Sequence, residues 1–260
     1  MKKFILILFS IGCALVLFLG NQQWKEKVQV KSRSTSAAMT ERNQDNNPDE
    51  DSHKKLSALT KNWPVSAKAL FKAAVQEERP FKVILAGSPA LGNDESGWAE
   101  LLKNKLESTY GDALEVTVKS YAMTSQEFIQ EKKQNELAAE QADLVLLEPF
   151  ILMNNGKVAN DQASDHYSVI IDAIQSANPN TVVILQPANP LSKARFYPLQ
   201  VDALKGYAAA NGLTYLDHWQ AWPETENERM ELLAGGDPNF PNEDGHKLWA
   251  EYLIDYFIAE

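Results

Sequence analysis

Ser88 is the first residue that could do chemistry. It follows the apolar run Lys82-Val83-Ile84-Leu85 and lies between Gly87 and Gly92. A serine hydroxyl at the end of such a run can face outward and attack a carbonyl if a base takes its proton. Near neutral pH histidine fills that role best. The chain holds four histidines, His53, His166, His218 and His246. His53 sits in a polar stretch and His166 begins a helical pattern. His218 lies in Leu216-Asp217-His218-Trp219, and His246 opens the last helical pattern with Asp237 and Asp244 close in sequence. His246 is the preferred base and His218 the alternative. Asn154, in Asn154-Asn155-Gly156, carries an amide that could donate to a developing oxyanion. Each residue also has a structural reading: Ser88 as a turn cap, Asn154 as part of a turn, the histidines as polar groups satisfied at element ends.

The elements that must position these residues read clearly. Strand-like runs cover Phe81–Ala86, Leu114–Val118, Asp143–Leu147, Thr181–Leu185 and Leu213–Leu216. Helical patterns cover Gly97–Ser108, Ser125–Ala142, Ser164–Ala177, Pro198–Ala210 and Asp244–Ile258, with a first helix from Pro64 to Glu78. Short apolar strands alternating with helices predict a parallel five-stranded sheet covered on both faces, a flavodoxin-like three-layer α/β/α sandwich. In such sheets the functional loops follow the C-terminal ends of the strands, where Ser88, Asn154 and His218 fall.

The blocks at those ends resemble the SGNH/GDSL hydrolases. Ala86-Gly87-Ser88-Pro89-Ala90-Leu91-Gly92 matches the first block at the serine and the last glycine, with Ala86 and Gly87 in place of its Gly and Asp. Ser120-Tyr121-Ala122-Met123-Thr124-Ser125 stands at the second block, with Ala122 for the glycine; Thr124 or Ser125 could simply cap the next helix. Glu148-Pro149-Phe150 through Asn154-Asn155-Gly156 stands at the third, Gly-x-Asn-Asp, without its glycine. Asp237-Pro238-Asn239-Phe240-Pro241-Asn242 matches the last block at Asp237 and at Pro241-Asn242, but Phe240 holds the histidine position. The resemblance spans about residues 80–256 and implies an esterase or deacylase. It makes Ser88 the nucleophile, with Asp237 orienting a histidine, His246 before His218. The Ser88 and Ala122 N–H groups and Asn154 would bind the oxyanion. No metal or organic cofactor is implied. Phe240 motivates a rival: a catalytically inactive relative that binds an envelope polymer or a protein partner.

Charge bears on partners. The net charge is −10; residues 1–55 hold 9 Lys/Arg against 6 Asp/Glu, and residues 56–260 hold 16 against 29. So acidic a domain is a poor partner for nucleic acid. The single cysteine, Cys13, excludes an internal disulfide and a cysteine-based zinc site. Residues 4–20 are apolar apart from Ser10 and follow Lys2-Lys3. That run is just long enough to span a bilayer, which takes about 17–25 residues. No small-x-small cleavage site follows, so residues 1–24 read as an uncleaved signal anchor; Ser10-Ile11-Gly12-Cys13 is a partial lipobox. Residues 25–55 read as a polar disordered tether and residues 56–260 as the folded domain. The expectation is a single-pass cell-membrane protein with its domain outside the cytoplasm, acting on a small-molecule or glycan ester such as an envelope O-acyl group.

Overall fold

The computed structural model describes residues 48–224, 227–237 and 239–259. The expected anchor at 1–24 and most of the expected tether lie outside the described residues. Among the described residues, no helix is long and apolar enough to cross a membrane.

Helix α1 (Pro48–Leu59) begins inside the stretch expected to be tether. Its far end is tied down by the Ala259 N–H, which donates to Leu59 O at 2.8 Å. Helix α2 (Val65–Gln76) starts after Pro64 and buries Ala67, Phe71, Ala74 and Val75, one helical face.

Five strands follow: β1 (Phe81–Gly87), β2 (Leu114–Ser120), β3 (Leu144–Leu147), β4 (Val182–Leu185) and β5 (Thr214–Tyr215). They pair in parallel in the order β2-β1-β3-β4-β5, the flavodoxin-like order. Central β3 is buried along its whole length, as expected of a strand covered on both faces. Helices α3 (Trp98–Tyr110), α4 (Ser125–Gln130), α5 (Gln134–Ala139), α6 (Ile151–Asn154), α7 (Asn160–Ala177), α8 (Tyr197–Ala210) and α9 (Glu243–Phe257) complete the layers.

One expected helix, Ser125–Ala142, is two. Lys132 adopts a left-handed conformation, φ 58°. The Lys133 N–H reaches back to Phe128 O at 2.9 Å, closing α4 as a Schellman turn before α5 begins.

The N-terminal ends of the strands are sealed. Trp63, Phe71, Phe81, Tyr110 and Phe257 pack ring against ring. Arg79 meets Asp143 through two hydrogen bonds of 2.8 and 3.0 Å. The opposite rim, where the strands end, carries buried polar groups that include Ser88, Glu148, Gln186 and Asn189.

Candidate functional site

β1 delivers Ser88 to this rim fully buried. Its hydroxyl accepts the Ala90 N–H at 3.3 Å and so caps the short 3₁₀ turn Pro89–Leu91. Its own N–H donates to Glu148 Oε2 at 2.8 Å.

Glu148 follows β3 and is also fully buried. Its other oxygen, Oε1, accepts the Ile151 N–H at 3.1 Å. Burial holds the carboxyl above its ordinary range; the Ser88 hydroxyl and N–H, with backbone N–H groups of Ile151 and Phe150, favour ionisation but are outweighed. The register explains Gly87. Ala86 pairs with Leu147, so Gly87 and Glu148 come next, side by side. A Cβ at Gly87 would stand 2.8 Å from Glu148 Cβ and 2.6 Å from Leu91 Cδ1. Where the resembled block carries an aspartate on β1, this chain carries none, and the neighbouring strand supplies the carboxyl. Glu148 was not singled out from sequence. An acidic residue closing the all-apolar run Leu144–Leu147, opposite a glycine, was the available signal.

No hydrogen bond joins Ser88 to an imidazole among the described residues. His246 is nearly buried, and its Nδ1 accepts the Trp98 N–H at 3.3 Å. Burial pushes its pKa down to about 4, so the ring is neutral at pH 7. With Nδ1 accepting, Nε2 carries the proton and faces Gly92, where an added Cβ would lie 3.1 Å from it. In that tautomer Nε2 is a donor and cannot take up a proton. His218 is fully buried, stacked on Trp249 with centroids 4.0 Å apart. Its Nε2 donates to Pro187 O at 3.0 Å and its Nδ1 accepts from Trp222 Nε1 at 3.0 Å. Burial pushes its pKa down to about 3. It is a core residue with both nitrogens engaged.

The remaining expected residues are dispersed. Asp237 is exposed, and its Oδ1 accepts from Asn239 N and Nδ2, both at 2.9 Å, which makes a turn. Ala122 is exposed on the loop after β2. Thr124 caps α4 in a reciprocal box with Glu127. Asn154 is buried, and its Oδ1 accepts the Ser125 N–H at 2.8 Å. Ser125 Oγ lies 3.2 Å from that same oxygen and 2.9 Å from His166 Nδ1. Asn154 thus ties α4 to α6, while Ser125 reaches α7. Phe150, at φ 63°, precedes α6 and packs against Phe128 at 4.8 Å.

Phe240 lines a cleft of about 450 Å³ between the β4–α8 loop and the segment before α9. Ser88 is not among its lining residues. Among the described residues no group of three or more His, Cys, Asp or Glu is arranged to hold a metal ion.

Neither a protein-family model nor a curated protein matches the chain. Solved structures do. A protein assigned to the G-D-S-L lipolytic family from Desulfitobacterium hafniense DCB-2 is 19% identical, with a TM-score of 0.56 over 68% of this chain and 99% of that one. A catalytic mutant of Axe2, an acetylxylan esterase from Geobacillus stearothermophilus, is 14% identical, with a TM-score of 0.58 over 70% and 96%. TesA is 14% identical, with a TM-score of 0.54 over 67% and 97%. The chain therefore has the SGNH/GDSL hydrolase fold. At these identities the likeness is one of fold.

Proposed function

We propose that this protein is a recognition module on the SGNH/GDSL hydrolase fold, holding a ligand at the rim where the strands end, without acyl transfer to Ser88. One observation carries the reading: the buried Glu148 carboxyl accepts the Ser88 N–H at 2.8 Å. An acyl-transfer site needs that N–H free, aimed at the oxygen where negative charge develops. Here the donor is spent on the Glu148 carboxyl. When ionised, the carboxylate would also repel the oxyanion. Phe240 at the histidine position and the donor tautomer of His246 act in the same direction. The apolar run at residues 4–20 supports a membrane tether with the domain outside the cytoplasm.

The test is a fluorophosphonate probe applied to the purified full-length chain, with p-nitrophenyl acetate turnover followed from pH 6 to 9. The expected result is neither labelling nor turnover above buffer. Labelling abolished by Ser88→Ala would overturn the proposal. It would favour a second reading, hydrolysis of a small-molecule or glycan ester, which the fold shared with an acetylxylan esterase supports. In that reading Glu148, not an imidazole, is the group placed to take the serine proton.

A further inference from the structure

The chain enters the fold through a stretch whose charge runs against the rest. Between Ser52 and Gln76 stand five lysines, Lys54, Lys55, Lys61, Lys68 and Lys72, and no aspartate or glutamate. Residues 77–260 hold 13 Lys/Arg against 29 Asp/Glu. Helix α2 sorts the stretch into two faces. Ala67, Phe71, Ala74 and Val75 are buried, whereas Val65, Ala69 and Lys72 are exposed and Lys68 is half-buried. Residues three and four apart share a side of a helix, so these four face outward together. Lys68 Nζ donates to Lys61 O at 3.2 Å, which sets the α1–α2 turn beside them. Lys61, Lys68 and Lys72 form no ion pair among the described residues. Acids only border the patch: Asp51 precedes it, Glu77 is taken by Arg79 at 3.0 Å, and Asp255 lies beside Asn62. At the tip Val65 is 80% exposed, the most of any large apolar side chain among the described residues.

The patch has a fixed place in the fold. Trp63, just before α2, and Phe71, within it, both pack on Phe81, the first residue of β1, with centroids 5.4 and 5.6 Å apart. Helix α2 therefore lies across the N-terminal ends of the strands, and its outward face points away from the rim that holds Ser88 and Glu148. The 27 residues between the apolar run at 4–20 and Pro48 reach far when extended, about 3.3–3.6 Å each, so chain length alone does not choose which face meets a bilayer. Charge does. An anionic headgroup layer attracts the lysines and repels the acidic remainder of the domain. An exposed aliphatic tip among lysines suits the headgroup boundary. We infer that the outward face of α2 and the α1–α2 turn rest on an anionic lipid surface, with Lys61, Lys68 and Lys72 meeting headgroups and Val65 entering between them. The rim, with its candidate site, then stands turned away from the bilayer. The inference rests on the membrane tether proposed above and names the face the domain turns to the lipid. The rival face is on the rim itself, where Phe196 and Leu199, 77% and 59% exposed, line an open groove with Asn155.

The full-length chain, reconstituted into vesicles, tests it. In a Cys13→Ser background, Ala69→Cys on the outward face of α2 and Asn155→Cys on the rim groove each carry a nitrobenzoxadiazole label. The vesicles are phosphatidylcholine, alone or with one third phosphatidylglycerol, and contain a lipid spin-labelled at its headgroup as quencher. The label at 69 should be quenched in the anionic vesicles, and the quenching lost in about 1 M salt, where the screening length is about 3 Å. The label at 155 should stay bright. Lys61→Gln, Lys68→Gln and Lys72→Gln together should lower the docked-to-free ratio about a hundredfold, about fivefold per lysine, with the melting temperature unchanged. Stronger quenching at 155 than at 69 would overturn the inference in favour of the Phe196 face. Equal quenching at 69 in neutral and anionic vesicles, or in the triple variant, would overturn it as well. An unquenched label at 69 would leave the lysines to a soluble partner. Flotation separates the premise from the inference. A chain that does not float with neutral vesicles at high salt has no tether, and the inference falls with that reading; one that floats with the label at 69 unquenched refutes the docking face alone.

Discussion

Glu148→Gln isolates the role of the buried carboxyl. In the wild type both oxygens accept backbone N–H groups, from Ser88 at 2.8 Å and Ile151 at 3.1 Å. An amide keeps one acceptor and turns a donor toward the other N–H. One buried backbone donor is left unpaired, which costs about 1–3 kcal/mol. The pH dependence is the sharper signature. Burial raises the folded carboxyl above its unfolded value. A group raised in this way contributes stability that is full below the unfolded pKa and is lost as pH rises through the folded one. The slope is at most about 1.4 kcal/mol per pH unit. The stability advantage of wild type over Glu148→Gln should therefore be largest near pH 4 and shrink as pH rises. Urea unfolding of both proteins at half-unit steps from pH 4 to 8 measures it, and the difference cancels every other titrating group. A difference that is flat, or grows with pH, would refute the reasoning and with it the assignment of a buried carboxyl of raised pKa beside Ser88.

Three further outcomes are expected. Phe240→His should leave p-nitrophenyl acetate turnover at background, because the Ser88 N–H remains with Glu148; turnover above buffer would show that the carboxyl is no obstacle. Gly87→Ala should lower stability by about 1–3 kcal/mol, the usual cost of overpacking, since its Cβ would lie 2.6 Å from Leu91 Cδ1; an unchanged melting temperature would contradict the packing. His246→Gln should flatten the acid limb of the stability curve. Burial lowers the folded pKa to about 4, so the histidine's contribution is present above its unfolded value of about 6.5 and is lost as pH falls through about 4. A variant that loses stability with acid as steeply as wild type would place that titration elsewhere.

The strands were legible because buried parallel strands are apolar along their length. Phe81–Gly87 and Leu144–Leu147 lie within one residue of the sequence reading. Thr124 as a cap of the next helix was legible for a local reason, since its hydroxyl and the Glu127 N–H that it accepts lie within one helical turn; its reciprocal bond from Glu127 was not read. The break at Lys132 was not: a lysine in a left-handed conformation has none of the signal a glycine gives. Helix α1 was hidden by its polar composition, though proline followed by three acidic residues marks a helix start. At the site, the position of Ser88 could be read and its partner could not. The Ser88–Glu148 bond joins residues 60 apart in sequence. It exists only because parallel pairing sets Gly87 beside Glu148. Likewise nothing local reveals that both nitrogens of His218 are taken, one of them by Pro187, 31 residues away.

The side-by-side placement of Gly87 and Glu148 makes the two positions interdependent. Placing an aspartate at 87 while Glu148 stands would press a second carboxyl into a space already too small for a methyl group. Removing Glu148 first would strand the amide hydrogens of residues 88 and 151 in the protein interior. Each change alone leaves a clash or an unpaired donor of the size given above, about 1–3 kcal/mol, so the two positions are expected to be coupled, and the double substitution should cost less than the sum of the single ones.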